Sequence, residues 1–257
     1  MTPSQQAAAF LTLLVKECLR FIRIWVQTVL PAAVTMSLYF LIFGGLIGSQ
    51  LADVRGLRYM DYIAPGIILM AVINNAYANV VSSFFSAKFQ RHIEEMLVSP
   101  MPNWLIVAGY TAGGMARGLA VGVVVTAVAA WFTDLQVHSW PVVVAVVLLT
   151  TMLFALGGLI NAVFARSFDD ISIIPTFVLT PLTYLGGVFY SIDMLPGFWQ
   201  QASRLNPVLY MVSAFRYGMQ GVADVPLAMS FALIVGFVVV LFAIAVWLLH
   251  RGVGVRS

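Results

Sequence analysis

Six apolar stretches, each long enough to cross a bilayer, leave this chain almost nothing with which to build a soluble domain. They run over residues 24–47, 59–85, 104–132, 140–164, 171–190 and 227–249, and a membrane helix needs about 20 apolar residues. Hydrophobic residues make up 61% of the sequence and charged ones 9%, where soluble domains carry roughly 25% charged residues. The whole chain, residues 1–257, therefore reads as a single transmembrane domain.

An even number of spans puts both termini on one side. With that side cytoplasmic, the inner segments carry Lys16, Arg20, Arg23, Lys88, Arg91, Arg166, Arg251 and Arg256, and the outer ones carry Arg55, Arg58, Arg204 and Arg216. Eight against four satisfies the positive-inside rule. Trp25, Trp104, Trp131, Trp140 and Trp247 fall near span ends, where an amphipathic ring sits at the interface. The net charge of +3 belongs to these loops and implies no nucleic-acid partner. Residues 1–10 lack the basic segment and short apolar core of a cleaved leader, so the first span is retained. Ahead of it, Lys16, Arg20 and Arg23 share one helical face and Phe10, Leu14 and Phe21 another, the pattern of a helix lying on membrane lipid. Cys18 has no partner for a disulfide and reads as a free thiol.

Between the second and third stretches, Phe89, Ile93, Met96 and Leu97 follow helical spacing, with Lys88, Arg91, His92 and Glu95 on a parallel face, until Pro100 and Pro102 stop the helix. A short helix with an apolar ridge and a mixed-charge edge suits docking of a soluble partner. The competing reading, a helix resting on lipid, predicts a mostly basic polar face, which Glu94 and Glu95 oppose.

Residues 91–102 (RHIEEMLVSPMP), residues 183–190 (TYLGGVFY), Asn206-Pro207-Val208-Leu209-Tyr210 and Phe215-Arg216-Tyr217-Gly218 resemble the integral membrane subunit of ABC-2-type transporters over essentially the whole chain. The resemblance implies two permeases working with two ABC-type ATPases, and makes the helix of Lys88, Phe89, Arg91, His92, Ile93, Glu94, Glu95, Met96 and Leu97 the one that couples to the ATPase. Family members often carry a Gly-Thr pair where this chain reads Arg91-His92-Ile93. The resemblance also places spans two and five beside the translocation route, and spans one and five at the dimer interface.

The chain cannot hydrolyse ATP itself. A phosphate-cradling loop needs glycines ahead of a Lys followed by Ser or Thr, and the only lysines precede Glu17 and Phe89. No Asp, Glu or His falls at mid-span, which speaks against proton or sodium coupling and against an intramembrane enzyme. Arg117 does lie at the middle of the third stretch, where a charge costs roughly 2.5–3.5 kcal/mol. It meets either an anionic substrate group or polar neighbours such as Asn74 and Asn75. Around it, Gly109, Gly113, Gly114, Gly118 and Gly122 permit close helix packing.

Uncharged polar residues form two stripes: Asn75, Asn79, Ser82, Ser83 and Ser86 on span two, and Thr176, Thr180, Thr183 and Tyr184 on span five. Such stripes either bond helices together or line a path; the resemblance makes them the candidate translocation path. Residues 191–226 form a pair of helices, the second capped by Asn206 with Pro207 at its first position. The pair is either a hairpin flat on the outer surface or the re-entrant gate of the resembling family.

The resulting expectation is an all-α membrane protein with six transmembrane helices, an N-terminal interfacial helix, a cytoplasmic coupling helix after span two and a re-entrant helical hairpin between spans five and six. It would be the permease subunit of an ATP-driven exporter in the bacterial inner membrane, with no cofactor of its own, ATP and Mg on the partner ATPase, and an amphipathic, lipid-linked or hydrophobic cargo. The alternative is a passive channel or scaffold without ATPase coupling.

Overall fold

The structure, a computed structural model, describes residues 1–50 and 53–254, so Arg256 lies outside the described residues. Among the described residues, five helices are long and apolar enough to cross a membrane: Trp25–Ile47, Tyr59–Phe89, Asn103–Phe132, Trp140–Phe164 and Leu227–Arg251. They are spans 1 to 4 and the last span. Where the sequence leads to a fifth crossing over residues 171–190, there is a shorter helix, Asp170–Leu185, rising roughly 24 Å at about 1.5 Å per residue. The apolar run outlasts the helix because the chain turns at Gly187 (φ +74°) and tucks Val188 and Phe189 into the core. Both this helix and span 1 contain π-helical turns, at Pro175–Leu179 and Phe40–Ile47.

The helix ahead of span 1, Pro3–Arg23, begins at a reciprocal cap: the Thr2 N–H donates to Gln5 Oε1 at 2.8 Å and the Thr2 hydroxyl accepts from the Gln5 N–H, with Pro3 in the first turn. It does not keep its charges on one outward face. Glu17 is fully buried and Arg20 turns inward with it, while Lys16 and Arg23 stay exposed.

Span 2 is the axis of the bundle, with spans 3 and 4 against it. The glycines of span 3 serve two neighbours. A Cβ on Gly109 or Gly113 would run into Leu13 or Glu17 of the N-terminal helix, and Gly114, Gly118 and Gly122 face Val80, Ala76 and Val72 of span 2. Span 4 makes its approach at Gly158, where a Cβ would sit 2.6 Å from the Tyr77 carbonyl oxygen. Small residues thus let backbones meet where lipid offers no hydrophobic driving force.

The pair of helices after the turn is present as Gly197–Arg204 and Pro207–Gln220. Asn206 caps the second, its Oδ1 accepting from the Val208 N–H at 2.9 Å and its amide donating to the Leu182 carbonyl at 2.6 Å. Pro207–Gln220 is buried along nearly its whole length among span 2, span 4 and the last span. A helix lying flat on the outer surface would keep one side free; this one does not.

Candidate coupling face and translocation groove

Span 2 ends at Phe89, and the chain reverses at Gln90 and Arg91, the latter at φ +63°. A new helix, His92–Val98, follows, stopped by Ser99 and Pro100. The residue pattern is continuous across this break but the helix is not, so the expected ridge divides. Ile93 is fully buried and anchors the short helix in the core; Phe89, on the end of span 2, is exposed. Phe89 instead packs on Phe168, ring centroids 5.3 Å apart, and Phe168 meets Phe85 edge-on at 4.9 Å. Phe168 lies in the loop after span 4 and carries no periodic signal that would have linked it to residue 89.

Lys88 does not join the charged edge. Its Nζ donates to the Val163 and Ala165 carbonyls, both at 2.7 Å, and so caps the C-terminal end of span 4. Arg91, His92 and Glu95 are exposed, Glu94, Met96 and Leu97 half-buried, and Val98 is 88% exposed. Among the described residues no ion pair holds Arg91, His92 or Glu95. The result is a short helix seated on the core through Ile93, an exposed aromatic pair of Phe89 and Phe168 beside the end of span 2, and Val98, Arg91, His92 and Glu95 exposed along the helix.

The polar stripe of span 2 faces two ways. Arg20 donates to the carbonyl and side-chain oxygens of Asn79, both at 2.8 Å, and to Ser82; Ser83 donates to the buried Glu17 at 2.7 Å. One turn along, Arg117 donates to Asn75 Oδ1 at 3.1 Å, while Asn74 takes no part. Asn75, Asn79 and Ser83 therefore bind the N-terminal helix and span 3. The Cys18 thiol on that helix is pushed up, first by burial and then by the negative Glu17, which leaves it a weak nucleophile.

Ser82 also borders a groove of about 390 Å³ between span 2 and the short helix Asp170–Leu185, lined by Asn74, Tyr77, Ser82, Ser172 and Thr176. Thr176, Thr180 and Tyr184 lie on the accessible side of the short helix, whereas Thr183 is buried and donates to the Thr180 carbonyl. The Tyr184 hydroxyl pairs with that of Tyr39 at 2.9 Å, tying the short helix to span 1. The structure thus joins Ser82 and Thr176 in one groove and assigns Asn75, Asn79 and Ser83 to another contact.

At the opposite end of the bundle lies a network centred on Arg216. This side chain is fully buried, pairs with buried Asp224, donates to the Gly187 carbonyl at 2.6 Å and lies 4.0 Å from the centre of the Tyr62 ring. Tyr62, Ser191 and Arg55 complete the ring of donors around Asp224. Arg55 reaches it from a tight hairpin turn, with Arg55 and Gly56 both at positive φ. The sequence marks Arg216 as an outer charge and as part of the resembling Phe215-Arg216-Tyr217-Gly218 stretch, but not as half of a buried pair, because Asp224 looks like an ordinary loop residue.

A bundle of apolar helices organised around one buried axis, with a short helix between spans 2 and 3, is the body of a multi-pass membrane protein. The chain belongs to the ABC-2 type transporter family, whose model matches residues 8–220, as its integral membrane subunit. It is 59% identical over 242 residues to an inner membrane transport permease, YadH, of Escherichia coli K12, with 94% of both chains covered. It is also 26% identical over 215 residues to nodulation protein J of Rhizobium leguminosarum biovar trifolii, covering 83% of this chain, and 27% identical over 219 residues to that of Sinorhizobium fredii, covering 84% of it; 82% of each relative is matched.

Proposed function

We propose that this chain is the permease subunit of an ATP-driven exporter. Two copies span the bacterial inner membrane and two separate ABC-type ATPases, which hold ATP and Mg, dock on the face made by Phe89, Arg91, His92, Glu95, Val98 and Phe168. The observation that carries this reading is the reversal at Arg91. It seats His92–Val98 on the core through Ile93 and leaves an apolar centre bordered by charges that have no ionic partner among the described residues. Motion of a docked subunit would pass through Ile93 to span 2 and from there to the bundle.

In this reading the short helix Asp170–Leu185, with the following turn, makes the fifth of six crossings, both termini are cytoplasmic, and Pro207–Gln220 is the inner wall of a re-entrant hairpin. Homodimerisation uses span 1, where Val34 and Leu38 are bare, and the short helix, where Phe177 and Val178 are. The groove at Ser82 and Thr176, walled by the same short helix, takes an amphipathic, lipid-linked or hydrophobic cargo. Co-purification with the partner ATPase tests the reading. The wild-type chain retains it, a Phe89→Ala/Phe168→Ala variant loses it, and retention by that variant refutes the docking face.

A further inference from the structure

We infer that the end of the bundle opposite His92–Val98 holds one membrane lipid whose headgroup carries a primary ammonium. Two cavities share walls there. One, of about 520 Å³, is bordered by Asp61, Asp134, Gln136, His138 and Gln220; the other, of about 500 Å³, is apolar and bordered by Ile68, Val72, Val123, Val144 and Leu148. Val137 and Met219 line both, so a polar chamber and an apolar one stand side by side with these two side chains as their common wall. The apolar part follows span 4 from Trp140 to Leu148, about 12 Å at 1.5 Å per residue. Trp140, 66% exposed, stands at its mouth, at the level where indole rings meet the headgroup region. A molecule that fills both has a polar head and at least one alkyl chain.

The charges select the head. Asp61 and Asp134 share the guanidinium of Arg58, at 2.7 Å each, and no Lys or Arg is among the described residues that line the chamber. Two carboxylates against one arginine leave a net negative charge. Gln220 gives its amide N–H to the Asp61 carbonyl, and its Oε1 is buried with no hydrogen-bond partner among the described residues. Asp61 and Asp134, with one guanidinium between them, leave the chamber with acceptor oxygens in surplus. An ethanolamine ammonium brings three N–H donors and a positive charge. A choline head brings the charge without donors, and a glycerol head on a phosphodiester brings a net negative charge that the carboxylates repel.

Native mass spectrometry of the delipidated chain, titrated with phosphatidylethanolamine, phosphatidylcholine and phosphatidylglycerol of identical acyl chains, tests this. One phosphatidylethanolamine is retained about tenfold more tightly than phosphatidylglycerol, the scale of one charge-assisted hydrogen bond, with phosphatidylcholine between them. Val144→Trp fills the groove and abolishes retention of all three. Asp134→Asn, at an exposed carboxylate that the fold does not bury, removes most of the preference over phosphatidylglycerol while retention itself persists. Equal retention of the three lipids by the wild type, or an unchanged preference in Asp134→Asn, overturns the assignment.

Discussion

The two ends of the bundle are built on opposite terms. At one, Arg216, Asp224, Arg55, Tyr62 and Ser191 satisfy one another in a closed network that joins the loop after span 1, span 2, the turn after the short helix and the buried helix Pro207–Gln220. At the other, Lys88 caps span 4 and Ile93 plugs the core, but Arg91, His92 and Glu95 have no ionic partner among the described residues, and Phe89, Val98 and Phe168 stay exposed. A buried charge must find its partner within the protein. An exposed apolar and mixed-charge face is free to find one outside. The closed Arg216 network holds the fold together, and the exposed face around Phe89 and Phe168 is where a second protein has something to gain.

Substitutions sharpen this contrast in order of size. Arg216→Leu takes the buried cation from Asp224 and leaves the half-exposed Arg55 as its remaining charge partner, and should cost about 3–5 kcal/mol, seen as a large fall in thermal midpoint of the detergent-solubilised protein. Replacing both members, Arg216→Leu with Asp224→Asn, should cost less than the single change, because no unpaired charge is left; equal losses would show that the pair is not a unit. Lys88→Ala strips the donor from the Val163 and Ala165 carbonyls and should cost about 1.5–3 kcal/mol in the same assay, marking Lys88 as part of the fold rather than of the docking face. Gly158→Ala forces a methyl group against the Tyr77 carbonyl and should cost about 1–3 kcal/mol by separating spans 2 and 4. Phe89→Ala with Phe168→Ala should shift stability by no more than about 0.5 kcal/mol while removing ATPase capture. A large loss of stability in this last pair would place it in the core and erase the difference between the two ends.

The parts of the fold that depend on local chemistry are legible in the sequence. Asn206 and Pro207 start a helix where they should, the glycines of span 3 mark close approaches, and Pro100 follows the stop of the loop helix. What the sequence conceals is non-local. Phe89 and Ile93 share a periodic pattern, yet Arg91 adopts a left-handed conformation that periodicity does not register, and Phe168 joins Phe89 from the far side of spans 3 and 4 in the chain. Arg20 looks like a member of one charged face with Lys16 and Arg23, and Glu17 like an ordinary residue near a span end, because nothing local reveals that Asn79 and Ser83 meet them from span 2. Arg117 is visible in the sequence as a charge inside a span, and its neighbour Asn75 is among the partners the sequence offers. The short helix Asp170–Leu185 reads as a full span because hydropathy continues through a turn that is buried by protein.

The central claim is that the face around Phe89, Phe168 and Val98 receives an ATPase. Its most direct measurement is the ATPase activity and co-purification of the partner subunit with the chain in nanodiscs, wild type against Phe89→Ala/Phe168→Ala, with thermal midpoints recorded in parallel. The wild type should form a stable complex with chain-dependent hydrolysis, and the variant should lose both at an unchanged midpoint. A variant that keeps the complex and the hydrolysis would contradict that claim.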